Sequence, residues 1–517
     1  MRKIMSLLLL VFVLQACNKR DFKERGITTE NLVNEKGNGL SAIPETASFS
    51  LLTSITLAGG EGAAEISAYD PATKKLFVVN NSAGVSRIDI YNLANPANPV
   101  TAGNINTAVY GGIVNSISVS HGKLAAAIEA PDKVSAGKIL VFHICDNSVL
   151  ANVTVGSLPD MVTFSPDGKL ILSANEGEPN NAYTIDPIGT VSIISVADNY
   201  AVTTLNFSGF EPRAAELKSK GFRIFGLNAS FAQDIEPEYI AVAENSKRAW
   251  VTLQENNGIA LIDLTTKTIV DIFPLGFKDY NNPMNSIDPS DQDGGIFFNP
   301  WKVKGVYMPD GIAVLPNSNV PFVFTANEGD SRDYPGFSEQ KRISSNSIIL
   351  DPAAFPNAAV LKTPAKLGRL NITNTLGDTD NDGDLDELYS YGARSFSIWH
   401  GLTGKLLYDS KDFIDKKAFE LNKYPDGRSD DKGCEPEGIT TGRVGNKNIL
   451  FVGLERANAV MVFEMTNPTT PIFLQLLDTG VAPEGVLFVP AAESPNGKSL
   501  LIVSNEASGT VSIFTTN

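Results

Sequence analysis

The segment Pro436-Glu-Gly-Ile-Thr-Thr-Gly-Arg-Val444 and the segment Asn448-Ile-Leu-Phe-Val-Gly-Leu-Glu455 after it form the clearest copy of a repeat that runs along this 517-residue chain. In each copy, an acidic residue beside a proline or a small residue precedes a β run, a turn, a second β run and an acidic loop. Further clear copies begin at Glu236-Pro-Glu238, Pro309-Asp310-Gly and Pro483-Glu484-Gly. Self-similarity of this kind is the signature of a repeat architecture.

Aligned by their paired β runs, the repeats give seven units between residues 51 and 517. Each unit has a third β run and a further strand-like run beside it, so the sequence predicts an all-β protein, a seven-bladed β-propeller. Blade five opens at Pro309 and closes only at residues 394–399, which predicts a long insertion at about residues 335–390. If that blade were two blades, the propeller would have eight. Residues 51–57 are expected to complete the last blade and to close the ring without a free edge.

The N-terminus has the pattern of a lipoprotein signal peptide at residues 1–16. Arg2 and Lys3 precede the apolar run Leu7-Leu-Leu-Leu-Val-Phe-Val-Leu14, which is too short to cross a bilayer. The run ends in Leu14-Gln-Ala-Cys17, which resembles the bacterial lipobox. The resemblance implies lipidation of Cys17 and attachment to a membrane of the bacterial cell envelope, such as the outer membrane, with the protein periplasmic or surface-exposed. Residues 17–50 are polar, and we expect them to form a flexible tether.

The overall charge limits the class of partner. The net charge is −16 and the pI about 4.8, without the Lys/Arg cluster that a phosphate backbone requires, so we expect no nucleic-acid partner. An acidic balance favours cations or basic partners, but it also serves solubility alone. In addition to Cys17, the chain contains Cys145 and Cys434, and the sequence leaves open whether these two form a disulfide.

Two positions of the repeat carry carboxylates that a propeller would bring to one face, because the first strand starts where the second strand ends. Twelve such groups would repel one another without compensation. One interpretation is that each carboxylate caps turn amides within its own blade. The other is an electronegative funnel that binds a metal or a small cationic or protein ligand, with Arg332 and Arg456 as ion-pair partners or anion ligands. The twelve include Glu129, and the other eleven make up the candidate ring: Glu65, Asp160, Glu176, Glu238, Glu255, Asp310, Glu328, Glu437, Glu455, Glu484 and Glu506.

The blade-five insertion contains Asp378-Thr-Asp380-Asn-Asp382-Gly-Asp384-Leu-Asp386. Aspartates at positions one, three, five and nine, with glycine at six, place several hard oxygens around one cation, and the pattern looks like the calcium loops of integrin α-subunit propellers. It departs from the EF-hand, because position twelve is Tyr389. We expect Asp378, Asp380, Asp382, Asp384 and Asp386 to hold a structural Ca²⁺. The alternative is an acidic solvated loop.

Catalytic residues cannot be assigned from the sequence. The chain has three histidines, and His143 lies in a strand-like run, so a histidine-based triad lacks material. Ser331 has no evident base beside it, and its loop position favours a turn role. The chain lacks a P-loop or dinucleotide fingerprint.

Several motifs together carry a family resemblance over roughly residues 50–517. They are Glu236-Pro-Glu-Tyr239, Thr325-Ala-Asn-Glu-Gly-Asp-Ser-Arg-Asp-Tyr334, Gly433-Cys-Glu-Pro-Glu-Gly438 and Ala482-Pro-Glu-Gly485. On these the chain resembles the bacterial choice-of-anchor I family, which implies a YVTN-like seven-bladed propeller displayed on a cell surface. Some members of that family are labelled alkaline phosphatase-like. Two functions follow as hypotheses: a calcium-binding binding or scaffold module, and a metal-dependent phosphoesterase that uses a further divalent metal at the carboxylate face.

Overall fold

A computed structural model describes residues 45–517 apart from residues 83, 317 and 319. Seven four-stranded antiparallel sheets dominate this part of the chain, and we number them in chain order by their first strands. Sheets 1 to 3 consist of Ser67–Asp70, Lys75–Asn80, Arg87–Asn92 and Val100–Asn106; Val114–Ser120, Lys123–Ile128, Ala136–His143 and Val149–Ser157; and Pro159–Phe164, Leu170–Asn175, Thr190–Ser195 and Ala201–Asn206.

Sheets 4 to 7 follow the same order of strands. They consist of Pro237–Val242, Arg248–Leu253, Gly258–Asp263 and Thr268–Pro274; Ile312–Val314, Phe322–Asn327, Ser395–His400 and Lys405–Asp409; Pro436–Val444, Lys447–Leu454, Ala459–Glu464 and Ile472–Asp478; and Pro483–Val489, Leu500–Asn505, Thr510–Thr516 and Phe49–Thr56. The first strand of each sheet contacts the first strand of the next, and that of sheet 7 contacts that of sheet 1. The fold is therefore all-β and propeller-like.

The apolar runs of the strands are explained by burial on both faces of each sheet. Leu76 and Val78 belong to the hydrophobic cluster between sheets 7 and 1, whereas Phe77 and Val79 belong to the cluster between sheets 1 and 2. Successive side chains of a strand point to opposite faces, so a strand between two neighbouring sheets must be apolar at consecutive positions. Similar clusters fill each of the other junctions between consecutive sheets.

The circle of sheets is closed by the strand Phe49–Thr56, which pairs antiparallel with Thr510–Thr516. This confirms the predicted pairing of residues 51–57 with the last unit. Glu45 accepts hydrogen bonds from Ser499 and Thr516, so the ordered domain begins before the predicted tether boundary at residue 50. The signal peptide, the lipidation site Cys17 and tether residues 17–44 lie outside the described residues.

Two segments outside the four-stranded sheets fold together. Residues 275–311 join sheets 4 and 5, and residues 328–394 lie between the second and third strands of sheet 5. A three-stranded sheet connects both segments, and a separate hydrophobic core contains residues of each, including Tyr280, Ile343 and Phe355. This sheet consists of Phe277–Asp279, Lys304–Val306 and Tyr389–Ser390. The sequence predicted a long excursion within sheet 5 but not its union with residues 275–311.

The remaining elements are short. Two-stranded sheets pair Asp333–Tyr334 with Phe337–Ser338 and Gln340–Arg342 with Asn371–Thr373. The α-helices are Ala214–Ser219, Ala358–Leu361 and Phe413–Glu420. Within the described part of the chain, none of the helices has the length and apolar character that a membrane crossing requires.

Candidate functional site

The acidic residues that start the first strands lie in β-bulges. In sheet 3 the ladder passes from Pro159 to Met161, so that Asp160 has no partner in the register. The ladder is interrupted in the same way around Glu238, Glu437 and Glu484. A bulge leaves one residue unpaired and redirects its side chain. The repeat therefore uses a local backbone device to turn these carboxylates towards the centre.

The second acidic position follows the second strand of each sheet. Pro159 pairs with Asn175, and Pro483 pairs with Asn505, so the start of the first strand lies beside the end of the second. Glu176 and Glu506 come directly after those ends. Both acidic positions therefore lie at the same end of the sheets.

Two adjoining cavities, of about 390 and 300 Å³, receive most of these side chains. Of the candidate ring, Glu238, Asp310, Glu328 and Glu455 line the larger cavity, Glu65, Glu176 and Glu506 line the smaller one, and Asp160, Glu437 and Glu484 line both. Glu255 lines neither and is 9% exposed. The structure thus brings ten of the eleven candidates to a shared central space.

Asp160, Glu176 and Glu238 form one of two close groups of carboxylates around the cavities, and we call them the acidic triad. We call the part of the central space around the triad and the smaller cavity the acidic side. Each offers a carboxylate oxygen that lies within 4.8 Å of the other two. No other described residue donates a hydrogen bond to these carboxylates or forms an ion pair with them. Burial raises the pKa of Asp160 to about 6 and the pKa values of Glu176 and Glu238 well above their ordinary value, with neighbouring carboxylates adding to the effect.

A second acidic group, which we call the balanced cluster, has cations within it. Oxygens of Glu328, Glu435 and Glu455 also lie within 4.8 Å of one another. The Lys432 Nζ lies 2.6 Å from Glu328 and 3.3 Å from Glu435, while Arg456 lies 3.0 Å from Glu455. Burial alone would lower the pKa of Lys432, but the charges of Glu328 and Glu435 raise it well above its ordinary value.

In repeats 1 and 2, an asparagine stands at one of the two acidic positions, and its side-chain amide contacts the carboxylate at the other position. Asn81 stands where later repeats have the second acidic residue, and its Nδ2 donates a 2.7 Å hydrogen bond to Glu65. Asn115 stands at the first acidic position and donates to Glu129 at 3.4 Å. Burial nevertheless raises the pKa of Glu65 to about 8, against the lowering effect of the Asn81 hydrogen bond. In these two repeats the carboxylates therefore accept from side-chain amides of their own repeat, rather than from the turn amides of the first interpretation.

The two arginines of the sequence hypothesis have different surroundings. Arg332 is 2% exposed, and its guanidinium donates to Asp234 and Glu236. It lines neither cavity, so it is a buried ion-pair partner rather than a group open to an anion. Arg456 lines the larger cavity with a half-exposed side chain, paired to Glu455.

Sequence reasoning named Arg456 but missed two further cations that contact the balanced cluster, Lys432 and Arg428. Lys432 and Arg428 belong to the segment between sheets 5 and 6, which carries no repeat signature. Their positive charge was visible in the sequence, but no repeat motif around them indicated which carboxylates they contact. Cys434, in the same segment, is a free and buried thiol, so it does not pair with Cys145.

The aspartate loop of residues 378–386 lies on the surface, away from these cavities. Oxygens of Asp378, Asp380 and Asp382 lie within 4.8 Å of one another, all on exposed side chains. Asp378 accepts backbone hydrogen bonds from Asp382 and Gly383, and Asp386 accepts from Thr379. The loop therefore gathers three of the five predicted ligands. Asp386 accepts from the N–H and the hydroxyl of Thr379, and Asp384 lies outside the group.

Comparison with known proteins identifies a family and distant relatives. The profile of the choice-of-anchor I domain matches residues 65–468. Gigasin-3a of Magallana gigas is 28% identical over 184 residues, which are 29% of this chain and 64% of the relative. A mesenchyme-specific cell surface glycoprotein of Strongylocentrotus purpuratus is 25% identical over 344 residues, 56% of this chain and 44% of the relative. The chain thus spans less than two thirds of either relative.

A solved structure, that of the RRP9 WD40 repeats, aligns with a TM-score of 0.50 at 10% identity. The alignment covers 91% of this chain and 100% of that one. At this identity the likeness concerns the fold alone.

Proposed function

Because this chain belongs to the choice-of-anchor I family, whose domain matches residues 65–468, we propose that it is a binding or scaffold module of the cell envelope whose central acidic cavities bind cations. Choice-of-anchor domains are generally extracellular or cell-surface modules. The names of the matched relatives include a cell surface glycoprotein, which agrees with that setting. Fold and family together thus favour a displayed module over an intracellular enzyme.

Within this proposal, the fold is a seven-bladed β-propeller. Support comes from the seven four-stranded sheets of the described residues and from the contacts between the first strands of sheets 7 and 1. Residues 328–394 are then an insertion in blade five, because the strands before and after them pair with each other. The propeller presents the bulged ends of its inner strands at one mouth.

The proposed function rests on carboxylates at this mouth that have neither a hydrogen-bond donor nor an ion-pair partner among the described residues. The carboxylates of Asp160, Glu238, Asp310 and Glu484 come from four different sheets and receive no hydrogen bond from other described residues. Buried carboxylates require partners, and where the protein supplies none, a proton or an external cation must do so. A cationic ligand is the partner that would let these groups stay ionised.

The test uses a variant in which the surface aspartate loop no longer competes for cations. This loop-silenced protein, carrying Asp380→Asn and Asp382→Asn, is titrated calorimetrically with Ca²⁺, Mg²⁺, Mn²⁺ and spermidine. We expect saturable binding of at least one of these, with a Kd on the order of 10⁻⁴–10⁻³ M for Ca²⁺, the range of extracellular modules. Failure of the loop-silenced protein to bind any of the four cations would contradict the proposed function.

The aspartate loop is proposed as a structural calcium site. Asp378, Asp380 and Asp382 supply the converging oxygens, and Gly383 has a φ of 100°, which allows the tight turn. Bound Ca²⁺ would fix the outer part of the blade-five insertion. The loop is exposed, and we assign it no part in ligand binding at the cavities.

The proposal includes a lipid anchor at Cys17. The lipobox-like Leu14-Gln-Ala-Cys17 supports it, and the domain's first described residues already lie against sheet 7. Metabolic labelling with a radioactive fatty acid in a bacterial host tests it. We expect labelling of the full chain and its loss in Cys17→Ser. Equal labelling of both would exclude Cys17 as the anchor.

A second candidate function is metal-dependent phosphoester hydrolysis. It is favoured by the two groups of converging carboxylate oxygens and by Lys432 and Arg456, which line the same cavity and could face a phosphate. A phosphomonoester assay on the chelated protein, before and after Ca²⁺ is restored, tests this candidate. Activity that returns with Ca²⁺ and falls in Arg456→Ala supports it, and the absence of calcium-restored activity excludes it.

A further inference from the structure

The acidic triad differs from the rest of the ring in its geometry. Asp160 and Glu176 come from sheet 3 and Glu238 from sheet 4, so the triad crosses the junction between two sheets. Its three oxygens lie within 4.8 Å of one another. Opposite ligands of one Ca²⁺ are separated by about 5 Å, twice the Ca–O distance of 2.3–2.6 Å. A single ion of that class can therefore contact all three side chains.

A separate observation indicates that a ligand is missing here. Glu255 is not part of the triad, is nine-tenths buried, and its Oε2 receives no hydrogen bond from the described residues. It follows the end of the strand Arg248–Leu253, and Leu253 pairs with Pro237, so Glu255 lies at the same end of sheet 4 as Glu238. Glu176 is equally buried and unpartnered. The charge of Arg332 acts on Glu255, but Arg332 forms its ion pairs with Asp234 and Glu236. Among the described residues, the three triad carboxylates have no ion-pair partner, and such burial is costly unless something neutralises them.

The balanced cluster shows what neutralisation looks like in this fold. There, Lys432 lies within ion-pair distance of Glu328 and Glu435. In the smaller cavity, which Asp160 and Glu176 line, the cation is Lys133, and it pairs with Glu129 at 3.8 Å rather than with the triad. The same arrangement of oxygens thus has an internal cation at one place and none at the other.

We infer that the acidic triad, with Glu255 beside it, is a binding site for one divalent cation of the calcium class, which joins sheet 3 to sheet 4 at the mouth of the cavity. Calcium accepts carboxylate oxygens in variable geometry, whereas Mg²⁺ demands a near-ideal octahedron and keeps several waters. A site of three or four carboxylates from two sheets fits the former. This inference rests on the proposed function, since it specifies which cation the acidic cavity holds and where.

The test titrates Ca²⁺ into chelated full-length protein in the loop-silenced background. Glu238→Gln removes one ligand of the triad. Glu484→Gln is the comparison within the ring, because Glu484 occupies the same bulged position in sheet 7, and Glu211→Gln is the control, because the exposed Glu211 lines neither cavity. We expect Glu238→Gln to weaken calcium binding more than tenfold, Glu484→Gln to weaken it several-fold less than Glu238→Gln does, and Glu211→Gln to leave it unchanged. Glu176→Gln is the second triad variant, in case Glu238→Gln does not fold, and circular dichroism verifies folding.

The outcomes separate the inference from the function beneath it. If both Glu238→Gln and Glu484→Gln weaken Ca²⁺ binding equally, the ring binds cations diffusely, and the triad assignment is wrong while the proposed function stands. Binding of spermidine without Ca²⁺ would likewise overturn the triad assignment alone. If none of the four cations binds, both proposals fail. Terbium luminescence excited through Tyr239, which lines the larger cavity next to Glu238, gives a second readout, and we expect Glu176→Gln to abolish it.

Discussion

The two sides of the central space carry the same repeated carboxylates but differ in the cations that accompany them. On one side, Lys432 lies 2.6 Å from Glu328. On the other, Lys133 is half exposed and lies 3.8 Å from Glu129, and the acidic triad has no cation among the described residues. Lys432 comes from the segment between sheets 5 and 6, outside the repeat. The repeat thus determines where carboxylates lie, and the non-repeated segments determine which of them are neutralised internally.

Removal of Lys432 should have the largest effect. In Lys432→Met, Glu328 and Glu435 lose a buried cation, and breaking a buried ion pair costs about 3–5 kcal/mol. We therefore expect the free energy of unfolding, measured by urea denaturation at pH 7.5, to fall by about 3 kcal/mol. Lys133→Met is the comparison on the acidic side, where a half-exposed lysine lies 3.8 Å from the buried Glu129, and we expect a smaller loss of about 1 kcal/mol. Equal effects of the two substitutions would contradict the distinction between the two sides.

The pH dependence of stability should come mainly from the acidic side. Burial raises the pKa of Glu65 from its ordinary 4.5 to about 8. The folded protein then holds a proton that the unfolded chain has released, so stability is complete below pH 4.5 and is lost as the pH rises towards 8. In chelator, we expect the free energy of unfolding to decrease by about 2 kcal/mol or more between pH 5 and pH 8. Glu65→Gln should flatten this slope, and an unchanged slope would contradict the assignment.

Neutralising one carboxylate on each side should change stability in opposite directions. In chelator at pH 8, Glu238→Gln removes an uncompensated charge and should stabilise the protein by about 1 kcal/mol. Glu435→Gln instead leaves Lys432 and Arg428 without their buried partner and should destabilise it by about 3 kcal/mol. Thermal unfolding of both variants measures the difference. With millimolar Ca²⁺, the gain of Glu238→Gln should disappear, because the variant no longer gains from the ion.

The features that the sequence predicts are those that local chemistry determines. Apolar residues at consecutive positions, as in Leu76–Val79, reflect strands buried on both faces, and the Pro-acidic pair reflects a bulge within a single strand. The closing strand is predictable because a missing fourth strand had to come from the other end of the chain. Ten of the eleven ring carboxylates reach the cavities for the same reason: their positions are set by the repeat.

Contacts between distant, non-repeated segments could not be predicted in this way. Residues 275–311 share a core with residues 328–394 through Tyr280 and Phe355, which carry no mutual signal in the sequence. Arg332 follows the acidic loop after the second strand of sheet 5 and therefore looked available to a ligand. Its partners, Asp234 and Glu236, lie nearly a hundred residues earlier in the chain. Ion pairs at such separation depend on how the insertions pack, which periodicity does not encode.

The smallest expected effect belongs to the aspartate loop, and it separates a surface calcium site from the central one. The charge of Asp382 raises the pKa of Asp380, so Asp380→Asn relieves a repulsion in chelator. Because these side chains are exposed, the repulsion is weak, and the unfolding temperature should stay unchanged. With Ca²⁺ the substitution removes a ligand, and we expect calcium protection of residues 378–386 against limited proteolysis to be lost. Binding at the acidic triad should be unaffected, because none of these aspartates lines the cavities. If Asp380→Asn also weakened the calcium site that Glu238→Gln affects, the two sites would be coupled through residues 328–394. The Tyr334 hydroxyl of that segment donates a 2.7 Å hydrogen bond to Glu178, which lines the smaller cavity with Asp160 and Glu176.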